Sequence, residues 1–377
     1  MVEFDFEDTL QIGQTVGKKW KVVGKLGAGG CGSVFRVRDA ASASDYALKV
    51  EPNSTDAGNV LKMEVQILSE LKSKPHTAKC IASGKKDRFS YMVMTLLGES
   101  LDSLVKKHGP FFNVSTQMRV GICVLFGVKQ IHDVGYLHRD LKPGNIALGS
   151  KGSPDERYLL VLDFGLARQY IHDDPDGKRI RRPRERALFR GTARYCSVAM
   201  HDRLDQGRCD DLWALVYILA ELRAELAWHD VDDKTDIGEM KRSISDEALL
   251  AWSPVDMLEF VRIVRETRFY DRPDYAALFG IMSDVMKKGG FKWSDPYHWE
   301  RKRRSKSVEK VEKQKKEKKG GLFGSLKIIK NKKHGKSGAP DAAKKSSSTS
   351  SSDSSESIGD HKPFFTVDDF TSNPMGF

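Results

Sequence analysis

The 377-residue sequence predicts an α+β protein with two lobes and a disordered C-terminal tail. The first lobe is indicated by short β-rich runs separated by glycine over residues 20–50. The second is indicated by long segments of helical periodicity beyond residue 101. The third observation is a sharp change in composition near residue 300, where lysine, arginine and then serine become dominant. A β-rich lobe followed by an α-rich lobe implies a cleft between them.

The same shifts in composition predict the domain boundaries. Length alone would allow two or three domains, but the change near residue 300 limits the folded part to one. The predicted segments are an N-terminal extension over 1–17, a folded domain over 18–293 with a β-rich lobe over 18–97 and an α-rich lobe over 98–293, and a disordered basic and Ser-rich tail over 294–377.

Local periodicity predicts the individual elements. Strands are expected at 20–26, 33–38, 46–50 and 91–97. One helix should interrupt the sheet, because apolar residues recur at helical spacing at Leu61, Val65, Leu68 and Leu71. In the second lobe, helices are expected at 116–132, 211–225 and 257–266.

The charge of the chain is concentrated in the predicted tail. The formal net charge is +11, and eighteen basic against five acidic residues lie between 300 and 345, so the rest is close to neutral. No uninterrupted apolar run is long enough to cross a membrane, and the N-terminus is acidic, which predicts no transmembrane segment. Five scattered cysteines favour an intracellular protein of the cytoplasm, with nuclear import left open by the basic tail.

A glycine-rich loop lies between the first two predicted strands. Its sequence, from Gly27 to Val34, is Gly-Ala-Gly-Gly-Cys-Gly-Ser-Val, and glycines of this kind let the backbone approach phosphates closely. A plain glycine-rich hairpin is the alternative, whereas a dinucleotide fingerprint is disfavoured because no helix follows. Lys49 follows on the third strand, where its ammonium could reach phosphates, and Glu64 on the next helix could pair with it.

Two further segments carry charge at the spacing that phosphoryl transfer needs. The first is His-Arg-Asp-Leu-Lys-Pro-Gly-Asn over residues 138–145, and the second is Asp-Phe-Gly over 163–165, after a short apolar strand. Asp140 would accept the hydrogen bond of an attacking hydroxyl, Lys142 would neutralise the γ-phosphate, and Asn145 and Asp163 would hold Mg²⁺. Two ordinary charged loops are the alternative interpretation.

Together these motifs resemble the protein kinase superfamily over residues 18–293, and the resemblance implies a bilobal protein kinase fold that uses ATP and Mg²⁺. Lys142, two residues after Asp140, is similar to the serine/threonine pattern rather than the tyrosine pattern. The nucleotide-binding positions that the resemblance implies are Leu26, Gly27, Gly29, Gly32, Val34, Ala47, Lys49, Met94 and Leu97.

Within the superfamily, the sequence is similar to the casein kinase 1 group. Where most kinases carry Ala-Pro-Glu, this chain has Gly-Thr-Ala-Arg-Tyr-Cys-Ser-Val over 191–198. The segments 61–65, 169–170, 189–190, 210–213 and 272–275 look most like the tau-tubulin kinase branch. Two residues depart from the pattern. Cys31 stands at the loop tip in place of an aromatic residue, either as an inert small residue or as a redox-sensitive brake, and Thr95 replaces an acidic or amide residue.

The segment after the Asp-Phe-Gly triplet has consequences for regulation and substrate choice. No Ser or Thr occurs between Gly165 and Gly191, so loop phosphorylation lacks an acceptor unless Tyr170 or Thr192 serves, and we expect constitutive activity. The segment is rich in arginine, whose planar group binds carboxylate and phosphate, and we expect acidic or phosphorylated protein substrates. A solvated basic loop is the alternative. By resemblance, the substrate-binding residues are Arg190, Thr192 and Arg194, although the lysine that would complete a phosphate site appears as Glu239 or Met240.

The predicted tail suggests binding partners without choosing among them. Its lysines and arginines could contact tubulin, nucleic acid or membrane surfaces, all of which are acidic. Three phenylalanines near the end, Phe364, Phe365 and Phe370, are candidates to dock on a partner or on the β-rich lobe. The leading hypothesis is an ATP-dependent protein serine/threonine kinase, and the rival is a pseudokinase-like scaffold, which the presence of Lys49, Asp140 and Asp163 disfavours.

Overall fold

A computed structural model describes residues 10–29, 32–53, 57–300 and 364–376. The first lobe is an antiparallel six-stranded sheet with one helix, α1 (Ala57–Glu70). The strand order in the sheet is β1-β2-β3-β4-β6-β5, with bounds β1 Thr15–Val16, β2 Trp20–Gly29, β3 Gly32–Asp39, β4 Asp45–Pro52, β5 Cys80–Lys85 and β6 Phe89–Thr95.

The sheet forms where period-2 alternation places apolar residues on one face. Phe35 and Val37 of β3 are buried together with Leu48 and Val50 of β4, and Trp20 closes this small core. The predicted meander and its helix are confirmed. Strand β5 was not predicted, because none of its side chains is fully buried and its sequence, Cys-Ile-Ala-Ser-Gly-Lys, has little alternation.

The second lobe is helical and packs around α3, the longest helix among the described residues. Every residue of α3 except Val114 is buried, because α5, α9 and strand β9 surround it. The predicted helices at 116–132, 211–225 and 257–266 are confirmed with shifts at the ends. The helices are α2 Leu101–His108, α3 Val114–Asp133, α4 Val198–His201, α5 Arg208–Glu221, α6 Lys234–Ser243, α7 Asp246–Leu249, α8 Met257–Glu266 and α9 Tyr275–Lys288.

Short strands between α3 and α4 position the segments that carry the sequence motifs. Strand β7 pairs with β10, β8 with β9, and β11 with β12 in a hairpin. A single 3-10 turn, Pro143–Asn145, precedes β8. The bounds are β7 Tyr136–Leu137, β8 Ile146–Leu148, β9 Leu159–Val161, β10 Arg168–Gln169, β11 Ile171–Asp174 and β12 Gly177–Ile180.

The folded unit extends beyond the predicted boundary at residue 293. Residues 294–299 pack on the helical lobe, where Tyr297 is buried, and residues 364–376 belong to the same compact unit as the domain. Within that second segment, Asp368–Thr371 forms a helix, α10, which contacts α9 and α3. The expectation of a tail disordered from 294 onward is therefore wrong for these two segments. The predictions made for 301–363 lie outside the described residues.

Aromatic packing explains why the C-terminal segment folds onto the domain. Phe365 and Phe370 are buried, and the ring of Phe365 lies 4.9 Å from that of Phe126 in α3. Phe364 stacks on Trp293 at 5.2 Å. The segment thus docks mainly on the helical lobe; in the β-rich lobe, to which one expectation assigned it, the ring of His76 lies 5.7 Å from that of Phe365. Three isolated aromatics show no periodicity, so the sequence marked them as docking candidates without indicating the surface that they contact.

No helix in the described part of the chain is long and apolar enough to span a bilayer. The four described cysteines, Cys80, Cys123, Cys196 and Cys209, are free thiols.

Candidate active site

A lysine, a glutamate and an aspartate from three separate segments meet between the lobes. Lys49 Nζ of β4 lies 2.6 Å from Glu64 Oε2 of α1, as the sequence predicted. The same ammonium donates to Asp163 Oδ1 at 3.2 Å, across a sequence separation of 114 residues. Helix α1 is therefore held close to the sheet, and Lys49 points at the segment that begins with Asp163.

The charges around Lys49 favour its protonated form. Burial opposes a charge there, but the carboxylates of Glu64 and Asp163 outweigh burial and raise the pKa of Lys49. A third carboxyl, Glu51, lies 3.8 Å from Lys49 Nζ, and burial raises the pKa of Glu51 to about 7. Its Oε2 accepts a hydrogen bond from the backbone N–H of Leu61 at 3.0 Å. Glu51, which sequence reasoning missed, thus ties β4 to the helix that carries Glu64.

The glycine-rich loop joins β2 to β3 above this cluster. A Cβ on Gly32 would come within 2.0 Å of the carbonyl oxygen of Val50, so only glycine fits the close approach of the two strands. A Cβ on Gly27 would meet no atom within 4 Å, so space is open beside the backbone there. Gly29 pairs with Gly32 at the end of the ladder. Gly30 and Cys31, and with them the proposed redox brake, lie outside the described residues.

Four of the predicted nucleotide contacts share one face of the sheet. Val34 pairs with Lys49 across β3 and β4, and Ala47 pairs with Met94 across β4 and β6. Alternate residues of a strand point to the same side, so Ala47 and Lys49 have a common orientation and so do their partners. Leu26, near the end of β2, is half exposed at 52%. The structure therefore brings these predicted residues to one side of the cleft.

The chain passes from the first lobe to the second at Leu97, just after β6. The next residue, Gly98, donates its N–H to the carbonyl of Leu148 at 2.8 Å. Within the described part of the chain, the backbone N–H and C=O of Leu97 form no hydrogen bond, so both can face a ligand. Thr95 has a structural contact, because its hydroxyl accepts from the backbone N–H of Lys79 at 3.0 Å.

Asp140 is held by two side chains that the sequence had assigned to the site. Thr192 Oγ1 donates to Asp140 Oδ1 at 2.8 Å, and Lys142 Nζ lies 2.7 Å from Oδ2. Lys142 also reaches Thr192 Oγ1 at 3.3 Å. Gly191 has φ +96°, and a Cβ there would lie 2.6 Å from the carbonyl oxygen of Arg139, so glycine permits the contact between these two segments.

The donor set beside Asp140 fits a magnesium ion. The amide nitrogen of Asn145 donates to the carbonyl of Asp140 at 2.9 Å, which leaves the amide oxygen available as a ligand. Asp163 Oδ1 accepts from Lys49 and from the N–H of Gly165, and the side chain is 48% exposed to the cleft. Carboxylate and amide oxygens with room for water are what Mg²⁺ prefers. Burial opposes ionisation of Asp163, yet Lys49 lowers its pKa, so the ligand is charged.

A buried aspartate on α5 accepts hydrogen bonds from the backbone of the segment 138–145, hereafter the catalytic loop. Asp211 Oδ2 accepts from the backbone N–H of His138 at 2.8 Å, and Oδ1 from that of Arg139 at 2.8 Å. His132 Nε2 lies 2.9 Å from Oδ2. Arg139 has φ +67°, and these bonds hold that strained conformation. The segment 210–213 had served only for the family resemblance, and nothing local in the sequence indicated this role.

The predicted substrate-binding residues separate into three cases. Thr192 lies at the site, bonded to Asp140. Arg190 is exposed and has no partner among the described residues. Arg194 is partly occupied, because its Nη2 lies 2.5 Å from the carbonyl of His229 and its Nη1 lies 3.4 Å from Glu221 Oε1. Arg194 therefore has fewer free donors for a substrate phosphate than the sequence suggested.

Comparison with known proteins agrees with this geometry. The chain matches the protein kinase domain model over residues 20–269. It is 62% identical over 372 residues to a Caenorhabditis elegans protein whose name assigns it provisionally to the serine/threonine-protein kinases, and the match covers 98% of each chain. It is 31% identical over 291 residues to casein kinase I homolog 1 of Saccharomyces cerevisiae, covering 75% of this chain and 54% of that one. It is 32% identical over 257 residues to a Caenorhabditis elegans protein named an inactive tau-tubulin kinase, covering 65% and 89%.

The family match spans both lobes and the motifs around Lys49, Asp140 and Asp163. The relative that aligns over nearly the whole chain has a name from the same class. This chain therefore belongs to the protein kinase family and is a serine/threonine protein kinase.

Proposed function

We propose that this protein transfers the γ-phosphate of ATP to serine or threonine hydroxyls of protein substrates, without prior phosphorylation of its own loop. The observation that carries the proposal is the bridge of Lys49 to Glu64 at 2.6 Å and to Asp163 at 3.2 Å. In kinases this pairing and the metal aspartate must both be in place for transfer. This bridge supports the proposal, because it joins the lysine that would bind the phosphates to the aspartate that would hold the metal.

Each residue of the site has one role in this proposal. Lys49, oriented by Glu64, binds the α and β phosphates, and Asn145 and Asp163 hold Mg²⁺. Asp140 accepts the hydrogen bond of the substrate hydroxyl and Lys142 balances charge on the γ-phosphate. The metal supplies electrostatic stabilisation of the phosphate oxygens. The sheet face that carries Val34, Ala47 and Met94, with Leu26, the loop glycines Gly27, Gly29 and Gly32, and the free backbone of Leu97, binds the nucleotide.

We place the enzyme in the casein kinase 1 group, most like the tau-tubulin kinase branch. Support comes from the segment 191–198 and from relatives near 30% identity whose names refer to casein kinase I and tau-tubulin kinase. One of these is named inactive, so activity of this chain has to be measured. We also propose an intracellular location, for which the free thiols are the support.

We propose a preference for acidic or phosphorylated substrates, and some of the arginines that follow Gly165 support it. Arg184 and Arg194 bind acidic or carbonyl groups of the protein itself, and Arg179 pairs with Asp174 and Asp176. The exposed arginines of this segment that have no partner in the described structure are Arg181, Arg182, Arg186 and Arg190. Exposed guanidinium groups beside the site of transfer attract carboxylates and phosphates. Contacts of the basic tail with acidic surfaces remain a separate proposal.

The test is transfer of labelled γ-phosphate from ATP with Mg²⁺ to casein, an acidic substrate, and to histone, a basic one. Wild-type protein should label casein more strongly, and Asp140→Asn should abolish both signals. Mass spectrometry should find no phosphate on residues 166–195 of the active protein. Wild-type protein that binds ATP yet transfers no phosphate would contradict the proposal and favour the scaffold alternative.

A further inference from the structure

A buried carboxylate binds two arginines of the segment that follows the Asp-Phe-Gly triplet. Asp205 lies between α4 and α5, and its side chain is only 5% exposed. Its two oxygens lie 2.9 and 3.0 Å from Arg168 Nη1. Arg184 donates to the same carboxylate through Nη2 at 2.8 Å, through Nε at 3.2 Å and through its backbone N–H at 3.1 Å. Asp205 thus accepts five hydrogen bonds from two points of the segment.

The arginines that Asp205 binds belong to a larger group of like charges. Burial lowers the pKa of Arg139, in the catalytic loop, to about 10, and the positive charges of Arg168, Arg184 and Arg190 add to that effect. Burial opposes ionisation of Asp205, yet Arg184 and Arg168 lower its pKa, so the carboxylate stays charged. Asp205 therefore offsets this repulsion at Arg168 and Arg184, while the buried carboxylate of Asp211 does so at Arg139.

The contacts of Asp205 lead directly to the catalytic loop. Arg168 lies in β10 and pairs with Leu137 of β7, the residue before His138. The side chain of Arg139 donates to the carbonyl of Leu166 at 2.8 Å, two residues before Arg168. On the other side, Arg184 leads within eight residues to Thr192, which bonds Asp140. Asp205 therefore connects the strand that positions the catalytic loop with the segment that supports Asp140.

An arginine cluster of this kind usually needs an anion to become ordered, and in many kinases a phosphate on the activation loop supplies it. This chain has no Ser or Thr between Gly165 and Gly191. We infer that Asp205 is a positioning residue that acts as a built-in counter-ion: it holds the segment between Gly165 and Gly191 in the arrangement needed for transfer, in place of a loop phosphate. The inference rests on the proposed function, and it explains why the kinase would be active without phosphorylation of this segment.

The test compares three variants at the same loop: Asp205→Asn, Asp205→Glu and Asp202→Asn. Asp205→Asn keeps the size of the side chain and removes its charge, and Asp205→Glu restores the charge. Asp202 is the matched control, because it lies three residues away and is exposed, and because Arg242 of α6 is its ion-pair partner among the residues that the structure describes. We expect kcat/KM for a peptide substrate to fall about tenfold or more in Asp205→Asn, as when a buried ion pair loses one partner. The Asp202→Asn variant should match wild type.

Three readouts separate positioning from mere stability. The KM for ATP of Asp205→Asn should stay within about twofold of wild type. Asp205 and its two arginines lie in the helical lobe, away from the sheet face that binds the nucleotide in our proposal. Inorganic phosphate, against sodium chloride of equal ionic strength, should recover part of its activity by binding Arg184, whose side chain is 46% exposed. The double variant Asp205→Asn/Arg184→Gln should also be more active than Asp205→Asn alone, because it removes one of the two arginine charges that lose their partner.

The outcomes distinguish this inference from the proposed function. If dephosphorylated wild-type protein is inactive, the proposed constitutive activity fails, whatever the variants do. If wild type is active and Asp205→Asn is equally active, the counter-ion role is overturned while the proposed function stands. The role is also overturned if Asp205→Asn loses activity only in proportion to its loss of folded protein, with no recovery from phosphate, Asp205→Glu or the second substitution.

Discussion

The ring of Phe370 stacks on the ring of Phe279, with 4.4 Å between centroids and 10° between planes. Phe370 belongs to the C-terminal helix α10 and Phe279 to α9, so a residue near the end of the chain completes the core of the helical lobe. Two polar contacts lie beside the stack: Lys129 Nζ reaches Ser372 Oγ at 2.8 Å, and Arg272 donates to the carbonyl of Ser372 at 2.8 Å. The C-terminal segment is therefore part of the folded domain.

The Phe370→Ala variant should be less stable by about 3–5 kcal/mol, because Phe370 is fully buried and its removal leaves a cavity. Urea unfolding followed by fluorescence measures the change. Phe111→Ala is the matched control, since Phe111 is 63% exposed and should cost less than about 0.5 kcal/mol. Equal stabilities for the two variants would contradict the docking of α10. A chain that ends at residue 293 should also be less stable, because it lacks the buried Phe370. Removing a tail that makes no contact with the domain would have no such effect.

The Glu51→Gln variant should raise stability at neutral and higher pH. The pKa of Glu51 rises from 4.5 in the unfolded chain to about 7 in the fold, so the native state binds the proton more tightly. Wild-type stability should therefore fall as pH rises from 4.5 to 7, and the neutral amide should avoid that loss. We expect a gain of about 1–3 kcal/mol at pH 8 and little difference near pH 4.5.

Unfolding measured across pH 4.5 to 8 tests the Glu51 prediction. Glu239→Gln serves as the control for the removal of one carboxylate, because Glu239 is exposed on α6. A difference between Glu51→Gln and wild type that stays constant over the whole range would refute the raised pKa.

The Thr192→Val variant should lower kcat without changing the KM for ATP. Valine keeps the shape of the side chain but removes the hydroxyl that donates to Asp140 Oδ1 at 2.8 Å, so Asp140 is less firmly oriented. We expect kcat to fall about tenfold to a hundredfold. Steady-state kinetics with a peptide substrate measures both constants, and Thr235→Val, at an exposed position of α6, should behave as wild type. An unchanged kcat would mean that Lys142 and Asn145 are sufficient to orient the carboxylate.

Neutralising the exposed arginines should weaken selection of acidic substrates. A variant with Arg181, Arg182, Arg186 and Arg190 replaced by glutamine should lose about tenfold in kcat/KM on an acidic peptide and little on a neutral one. The loss should shrink as salt increases, because exposed charges are screened. The matched control replaces four exposed lysines of the β-rich lobe with glutamine, namely Lys21, Lys62, Lys72 and Lys85. Equal losses on acidic and neutral peptides would refute the substrate proposal.

Local patterns were sufficient to predict the family, the two lobes and the residues at the centre of the site. Phosphoryl transfer requires particular charges in a particular order, so Lys49, Asp140 and Asp163 could be assigned from motifs alone. Periodicity located the sheet, α1, α3, α5 and α8, because burial on one face leaves a repeat in the sequence. These features depend on neighbours along the chain.

Contacts between distant parts of the chain produce no periodic pattern in the sequence. Only the tertiary structure determined which residues make them. Asp205, Asp211 and Glu51 are single acidic residues whose partners are backbone groups or side chains brought near by folding. In the sequence, Phe370 is an isolated aromatic residue in a polar segment, and only the structure shows that it stacks on Phe279. A buried charge or ring is stabilised by the residues that contact it in the folded protein. Such contacts can be predicted from sequence patterns only when the contacting residues are also close along the chain.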